Sequence, residues 1–155
     1  MKRSEVKGAD GMLLAARILI VLLFLIFGWQ KLLDYSGTVR FMAHVGAPLP
    51  PLATMVAIIM EFFVSIAIIL GVATRPLAAL MALYTLGTAL IGHRYWSMSG
   101  AARVENEINF WKNISIIGGL LALYVAGAGR YAIDGWWRER SADGAAPPAG
   151  KPRRG

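Results

Sequence analysis

One acidic residue, Glu61, lies inside a long apolar stretch of the sequence. An ionised carboxylate at the middle of a bilayer costs at least about 2.5 to 3.5 kcal/mol, so something must offset that cost. Either the carboxyl group stays protonated, or it faces other helices and pairs with a cation or a hydrogen-bond donor. The residue therefore indicates either a proton-linked or ligand-orienting carboxyl, or a buried hydrogen bond that fixes helix packing.

Three more polar residues are expected near Glu61, all toward the outer side of the membrane. Lys31 ends the first apolar stretch, His93 ends the third, and Asn113 begins the fourth. Together with Glu61 they would form a small polar pocket with apolar walls, which is the general form of a small-molecule site. Each residue alone is also explained as an interfacial anchor. Only their convergence in the fold would favour the pocket.

Several chemistries are not expected of this chain. It has no cysteine, which excludes disulfides, thiol redox chemistry and thiolate metal sites. Of its two histidines, His44 falls in a connecting segment, so a haem held by both is not expected. The sequence also lacks the carboxylate-histidine, zinc-protease, phosphate-loop and nucleophile-elbow motifs. We predict no catalytic residue, no metal site, no covalent cofactor and no self-contained enzyme.

The elements that must position these residues are membrane spans. The chain has 155 residues, 57% of them hydrophobic and 16% charged, which is too apolar for a soluble domain. A span needs about 20 mostly apolar residues. Four stretches come close to that length, and their short connections favour an all-α, integral membrane, antiparallel four-helix bundle. The predicted spans are residues 13–33, 52–72, 77–92 and 114–128.

The segments between the spans are predicted as a tight turn and two loops. Gly71 and Pro76 bound the turn, as expected where one helix ends and the next begins. Residues 34–51 contain prolines and residues 93–112 are polar, so both are predicted to be loops. Arg17 lies close enough to the end of the first span to reach the interface without a partner. Within the spans, small residues are predicted to mark helix contacts. These are Gly118, Ala122 and Ala126 with Ser115 and Gly119 beside them in the fourth span, Ala57 and Ser65 beside Glu61 in the second, and Ala78 and Ala82 in the third.

The chain has a net charge of +7, and the distribution of its basic residues indicates how it is oriented in the membrane. Eleven of the 16 Lys and Arg residues fall in the termini and the middle connection, which predicts that both termini are cytoplasmic. We therefore predict a multi-pass protein of a bacterial inner (cytoplasmic) membrane, with the lipid bilayer as its surroundings. Nucleic acid is not an expected partner, since the basic residues form no single face. The predicted divisions are a cytoplasmic N-terminal segment (1–12), the membrane domain (13–137) and a disordered basic tail rich in Pro, Gly and Ala (138–155).

An ordered set of short motifs runs along most of the chain. The motifs are Gly-Trp-Gln-Lys-Leu at 28–32, Gly-Ala-Pro-Leu-Pro-Pro at 46–51, Glu61, Leu-Gly-Val-Ala-Thr-Arg-Pro-Leu-Ala at 70–78, His93, Lys-Asn at 112–113, Gly-Gly-Leu-Leu at 118–121, and Gly-Ala-Gly-Arg-Tyr-Ala-Ile-Asp at 127–134. This ordered set resembles the DoxX family of small four-helix bacterial membrane proteins. One departure is Ala132, where relatives often carry serine.

The resemblance implies a subunit of a redox-linked membrane assembly that contacts quinone or a similar apolar small molecule and docks a partner oxidoreductase. The protein could also form a homo-oligomer, and the sequence leaves this open. Two alternatives remain, a small proton-coupled transporter or permease and a non-catalytic membrane scaffold. Arg75 and Asp134 both fall on the cytoplasmic side and are expected to form a structural ion pair. Carried over by position, the family's polar set is Lys31, Glu61, Arg75, His93, Asn113 and Asp134.

Overall fold

The computed structural model describes residues 8–134, and all regular secondary structure in this part of the chain is helical. Four of the helices are long and apolar enough to cross a membrane, namely α1, α3, α4 and α5. The predicted all-α membrane bundle is confirmed. The helices are α1 (Ala9–Leu33), α2 (Tyr35–His44), α3 (Pro50–Leu70), α4 (Thr74–Gly92) and α5 (Gly100–Ala126), with a 3-10 turn at Tyr95–Ser97.

Two helix pairs make the bundle. α1 packs along α3, and α4 packs along α5. Apolar side chains from all four spans meet between them, and Val21, Ile68, Met81 and Leu120 are fully buried there. Since lipid is as apolar as these side chains, the spans associate through close packing and internal hydrogen bonds.

The turn predicted between the second and third spans is present. Gly71 ends α3 with φ of +74°, a left-handed conformation that glycine adopts without strain. Pro76 lies in the first turn of α4. The turn is also tied to the chain beyond α5, because the Asp134 amide donates to the Gly71 carbonyl at 3.2 Å. The turn between α3 and α4 is thus fastened to the chain that follows α5.

Both predicted loops are largely helical instead. Residues 35–44 form α2, whose first turn is capped by the Asp34 carboxylate, which accepts from the Gly37 amide at 2.9 Å. The prolines that were expected to prevent a helix begin only at Pro48, after α2 has ended. The fourth span begins at Gly100, well before the predicted boundary. Its polar first turns contain no proline, so the helix continues through them, and polarity alone was misread as a loop.

Arg17 has a partner within the protein, contrary to the prediction. Its side chain is fully buried, and its guanidinium donates to the backbone carbonyl of Tyr131. The chain after α5 folds back over the start of α1, where the Arg130 amide also donates to the Asp10 carboxylate at 2.9 Å. The Arg17 side chain is therefore held by a contact with a distant part of the chain.

The predicted ion pair between Arg75 and Asp134 is not formed. Arg75 donates to the Val125 carbonyl at 3.4 Å, and the Asp134 carboxylate accepts from the Thr74 amide at 3.4 Å. Backbone groups at the helix ends are unsatisfied donors and acceptors, and they take up both side chains. The two residues still join the turn before α4 to the end of α5, but separately.

The prediction that small residues mark helix contacts holds for α3 and α4 and fails for α5. Ala57 and Ser65 on α3 and Ala78 and Ala82 on α4 are buried between helices. On α5 the predicted set instead faces outward, and Leu120 and Leu123 carry the packing. Close approach to α1 occurs at Gly119, which the prediction placed beside this set and where an added Cβ would collide with Ile20. The outward-facing residues are Gly118, Ala122 and Ala126.

Replacing Arg17 by Met should loosen the segment that follows α5. The Tyr131 carbonyl would lose its donor, and an unpaired acceptor costs about 1 to 3 kcal/mol when it is buried. Local opening exposes backbone to proteases, so trypsin should cleave after Arg130 faster in Arg17→Met than in the parent protein in micelles. Arg103→Met changes an exposed arginine on α5 and is the control. Equal cleavage rates in the two variants would contradict the assigned contact.

Candidate functional site

Glu61 lies where α3 departs from α-helical geometry. Residues Ile59–Val64 form a π-helical turn, and Glu61 is only 7% exposed within it. Such turns insert an extra residue into a helix and are frequent at functional sites. The wider turn changes which side chains face the bundle interior, and the carboxylate of Glu61 is directed inward.

Gly28 brings the backbone of α1 against this turn. A Cβ atom placed on Gly28 would come within 2.7 Å of both the Glu61 carbonyl carbon and the Phe62 nitrogen, so only glycine fits. Residues three apart lie on the same side of a helix. Lys31, three residues after Gly28, is therefore held next to Glu61 by the close approach of the two backbones.

Both oxygens of the Glu61 carboxylate accept a hydrogen bond. Lys31 Nζ donates to Oε2 at 2.6 Å, and the Tyr84 hydroxyl donates to Oε1 at 2.6 Å. Lys31 and Glu61 form the one salt bridge found within residues 8–134. Charge-assisted hydrogen bonds of this length are the strong ones. The carboxylate is thus placed among donors inside the bundle, and the two donors come from α1 and α4.

Tyr84 was not singled out from the sequence. The other aromatic residues attracted attention because they flank the spans, as interfacial belts do. Tyr84 instead lies in the middle of α4, where its hydroxyl needs a buried partner. A tyrosine far from both ends of a span is the signal that could have identified it.

These three side chains line a cavity of about 690 Å³. Its walls are mainly apolar and come from all four spans, from α2 and from the chain between α2 and α3. Ligand pockets commonly combine such walls with a few polar groups. The apolar walls include Leu23, Phe24, Phe27, Phe41, Leu52, Val56 and Ile91, and the polar lining consists of Lys31, Glu61, Tyr84, Thr88, His93, Asn109, Lys112 and Asn113.

His93 and Asn113 line the same cavity as Lys31 and Glu61. Asn113 is buried, whereas His93 lies at the edge, where its Nδ1 is 3.0 Å from the Asn106 side-chain oxygen. The structure therefore brings together all four residues that the sequence placed near one another. Their role in binding a ligand stays a prediction.

α2 and the chain that follows it cover one end of the cavity. The guanidinium of Arg94 donates to the Val45 carbonyl at 2.9 Å, and the Tyr35 hydroxyl donates to the Pro51 carbonyl at 3.3 Å. Phe41 of α2 faces the cavity. Sequence reasoning missed this cover because it treated residues 34–51 as an unstructured connection.

Comparison with known proteins agrees with this architecture. A family model described as DoxX matches residues 12–94, which is more than half of the chain and includes Lys31, Glu61, Tyr84 and His93. The chain belongs to the DoxX family. This DoxX-family protein is 53% identical over 123 residues to inner membrane protein YphA of Escherichia coli (strain K12), covering 79% of this chain and 88% of the relative.

A second relative of this DoxX-family protein is inner membrane protein YqjF of the same organism. It is 39% identical over 136 residues, covering 86% of this chain and 95% of the relative. Both relatives are named as inner membrane proteins, in agreement with the four membrane-spanning helices described here. No solved structure matches the chain significantly.

Proposed function

We propose that this DoxX-family protein is a multi-pass protein of a bacterial inner membrane that binds a quinone, or a similar apolar molecule with a polar head group. It would present that molecule to a partner oxidoreductase. The observation that carries the proposal is the contact of Lys31 and Tyr84 with Glu61 inside a cavity whose walls are mainly apolar. The names of both relatives support the location. The excess of basic residues in the termini supports a cytoplasmic position for both of them.

Lys31 would hold the head group. Its ammonium has three N–H donors and gives one of them to Glu61, so two remain for acceptor oxygens such as the carbonyl oxygens of a quinone. Glu61 fixes the position of Lys31 and Tyr84, and Asn113 offers a further amide in the cavity wall. Fixing donors before a ligand arrives lowers the entropic cost of binding.

The apolar walls would hold the rest of the molecule. Phe24, Phe27 and Phe41 offer aromatic surface to a quinone ring or to an isoprenoid chain. The chain has no cysteine, and residues 8–134 contain no cluster of three or more His, Asp and Glu side chains. In this proposal the electrons come from a partner oxidoreductase, and the chain acts as a subunit of the assembly.

Glu61→Gln should weaken binding of decylubiquinone about tenfold or more. Hydrogen bonds to charged groups contribute about 1.5 to 3 kcal/mol, and the amide would no longer hold the Lys31 ammonium in place. The measurement is a titration of the purified protein in nanodiscs, followed by tryptophan fluorescence. Trp29 is a suitable reporter because its ring lies 5.7 Å from that of Phe62, next to Glu61.

Glu105→Gln is the matched control, since Glu105 is exposed and outside the cavity lining. It should leave the affinity unchanged. Equal affinities in the two variants would contradict a site at Glu61. A proton-coupled permease predicts Glu61-dependent flux across vesicles instead, and a scaffold predicts that Glu61→Gln keeps every partner and loses no ligand.

A further inference from the structure

One side of the cavity is open, and its rim is apolar. Leu52 and Val56 lie four residues apart on α3 and share one face, and Leu49 lies just before the helix begins. All three line the cavity, yet they are 69%, 54% and 44% exposed. Side chains that both line a cavity and remain exposed mark its opening. The opening therefore runs along the flank of a membrane-spanning helix.

The position of Val56 places this opening within the bilayer. Val56 is six residues after Pro50, so it lies about 9 Å along the axis of α3. That distance is a substantial part of a hydrocarbon core that is about 30 Å thick. Across the cavity, Ile91 of α4 is also both lining and exposed. Apolar side chains that are exposed at this depth face lipid chains.

The polar boundaries of the cavity are fastened by hydrogen bonds. Arg94 holds the chain after α2 through the Val45 carbonyl. At the edge near α5, the His93 ring contacts the Asn106 side chain at 3.0 Å, which joins the end of α4 to α5. The rim at Leu49, Leu52 and Val56 consists of apolar side chains, which a lipid chain can displace at little cost.

We propose that the cavity is entered sideways from the hydrocarbon phase and that its ligand is a lipid-soluble amphiphile with a long apolar chain. The head group contacts Lys31 and Tyr84, and the chain leaves the cavity across Leu49, Leu52 and Val56. The inference rests on the proposed function for the binding of the head group. It adds the route by which the ligand enters and the requirement that the ligand carry a long apolar chain. A water-soluble metabolite of the same head-group chemistry is thereby excluded as the native ligand.

The test uses a benzoquinone with a photoreactive diazirine at the end of a decyl chain. The full-length protein in nanodiscs is irradiated with this probe, and the adducts are located by peptide mass spectrometry. We expect adducts within residues 49–56, with loss of labelling when excess decylubiquinone competes. Adducts on the polar edge at 106–112, or only on the lipid-facing side of α5, would overturn the inference. If quinone binding is still saturable in that case, the proposed function stands. Absence of any saturable binding would overturn both.

A pair of valine variants tests the rim directly. Val56→Trp places a large ring in the opening and should lower both the competed labelling and the affinity for decylubiquinone about fivefold. Val125→Trp makes the same change at an exposed position of α5 outside the cavity lining, and it should change neither. The circular dichroism spectra and the size-exclusion profiles of the two variants should match those of the parent protein, which shows that Val56→Trp is folded. Unchanged decylubiquinone binding in Val56→Trp would overturn the inference.

Discussion

Glu61→Ala should lower the free energy of unfolding by about 3 kcal/mol or more, because it leaves the Lys31 ammonium without a counter-charge inside the bundle. Removing one partner of a buried ion pair typically costs about 3 to 5 kcal/mol. The Tyr84 hydroxyl would lose its acceptor at the same time. The measurement is reversible unfolding of the purified protein in mixed micelles with increasing SDS. Glu105→Ala, at an exposed position on α5, should change stability little.

A second substitution distinguishes the ion pair from simple loss of packing. Replacing both partners with apolar residues removes the uncompensated charge, so Lys31→Met combined with Glu61→Leu should be more stable than Glu61→Ala. The effects of the two single substitutions on the free energy of unfolding should differ from additivity by at least about 1 kcal/mol, as expected for residues in direct contact. Additive effects of Lys31→Met and Glu61→Leu would show that the two side chains do not interact in the membrane.

Gly28→Ala should destabilise the protein by about 1 to 3 kcal/mol, although alanine is the better helix former. The new methyl group would lie 2.7 Å from backbone atoms of Glu61 and Phe62, and backbone atoms cannot move aside as a flexible side chain can. α1 and α3 would have to separate. The same unfolding measurement tests this effect, and decylubiquinone affinity should fall with it, because Lys31 moves away from Glu61.

The same change at Gly11 is the control for Gly28→Ala. Gly11 is in the same helix, and an added Cβ there meets no atom within 4 Å. Gly11→Ala should therefore be neutral or raise stability by up to about 1 kcal/mol, the difference in helix propensity. Equal effects at both positions would show that α1 and α3 do not approach closely at Gly28.

The large features of the fold could be predicted because each depends on local sequence. The spans follow from hydropathy and length, and the turn at 71–76 follows from the conformational freedom of Gly71 and the ring of Pro76. α2 was missed because its apolar positions are too few to resemble a span. The early start of α5 was missed because polar residues at a membrane surface are compatible with both a loop and a helix.

The site was only partly predictable, because its contacts join distant parts of the chain. Burial cost identified Glu61 without any structure, and position along the spans placed Lys31, His93 and Asn113 near it. No local signal showed that Tyr84 would face Glu61, since that depends on the π-helical turn and on the rotation of α4. Arg17 was misplaced for the same reason, since its partner lies at Tyr131. The predicted tail from 138 lies outside the described residues.

Native mass spectrometry of the protein, extracted gently from its own membrane, tests the binding site most directly. It reports bound small molecules and attached proteins in one spectrum, without a choice of probe. The expected result is a stoichiometric quinone, or another lipid-soluble molecule with a polar head group, that is retained by the parent protein and by Glu105→Gln and lost in Glu61→Gln. Only ordinary phospholipid on all three proteins, or a quinone retained equally by Glu61→Gln, would contradict a ligand site built on Lys31, Glu61 and Tyr84.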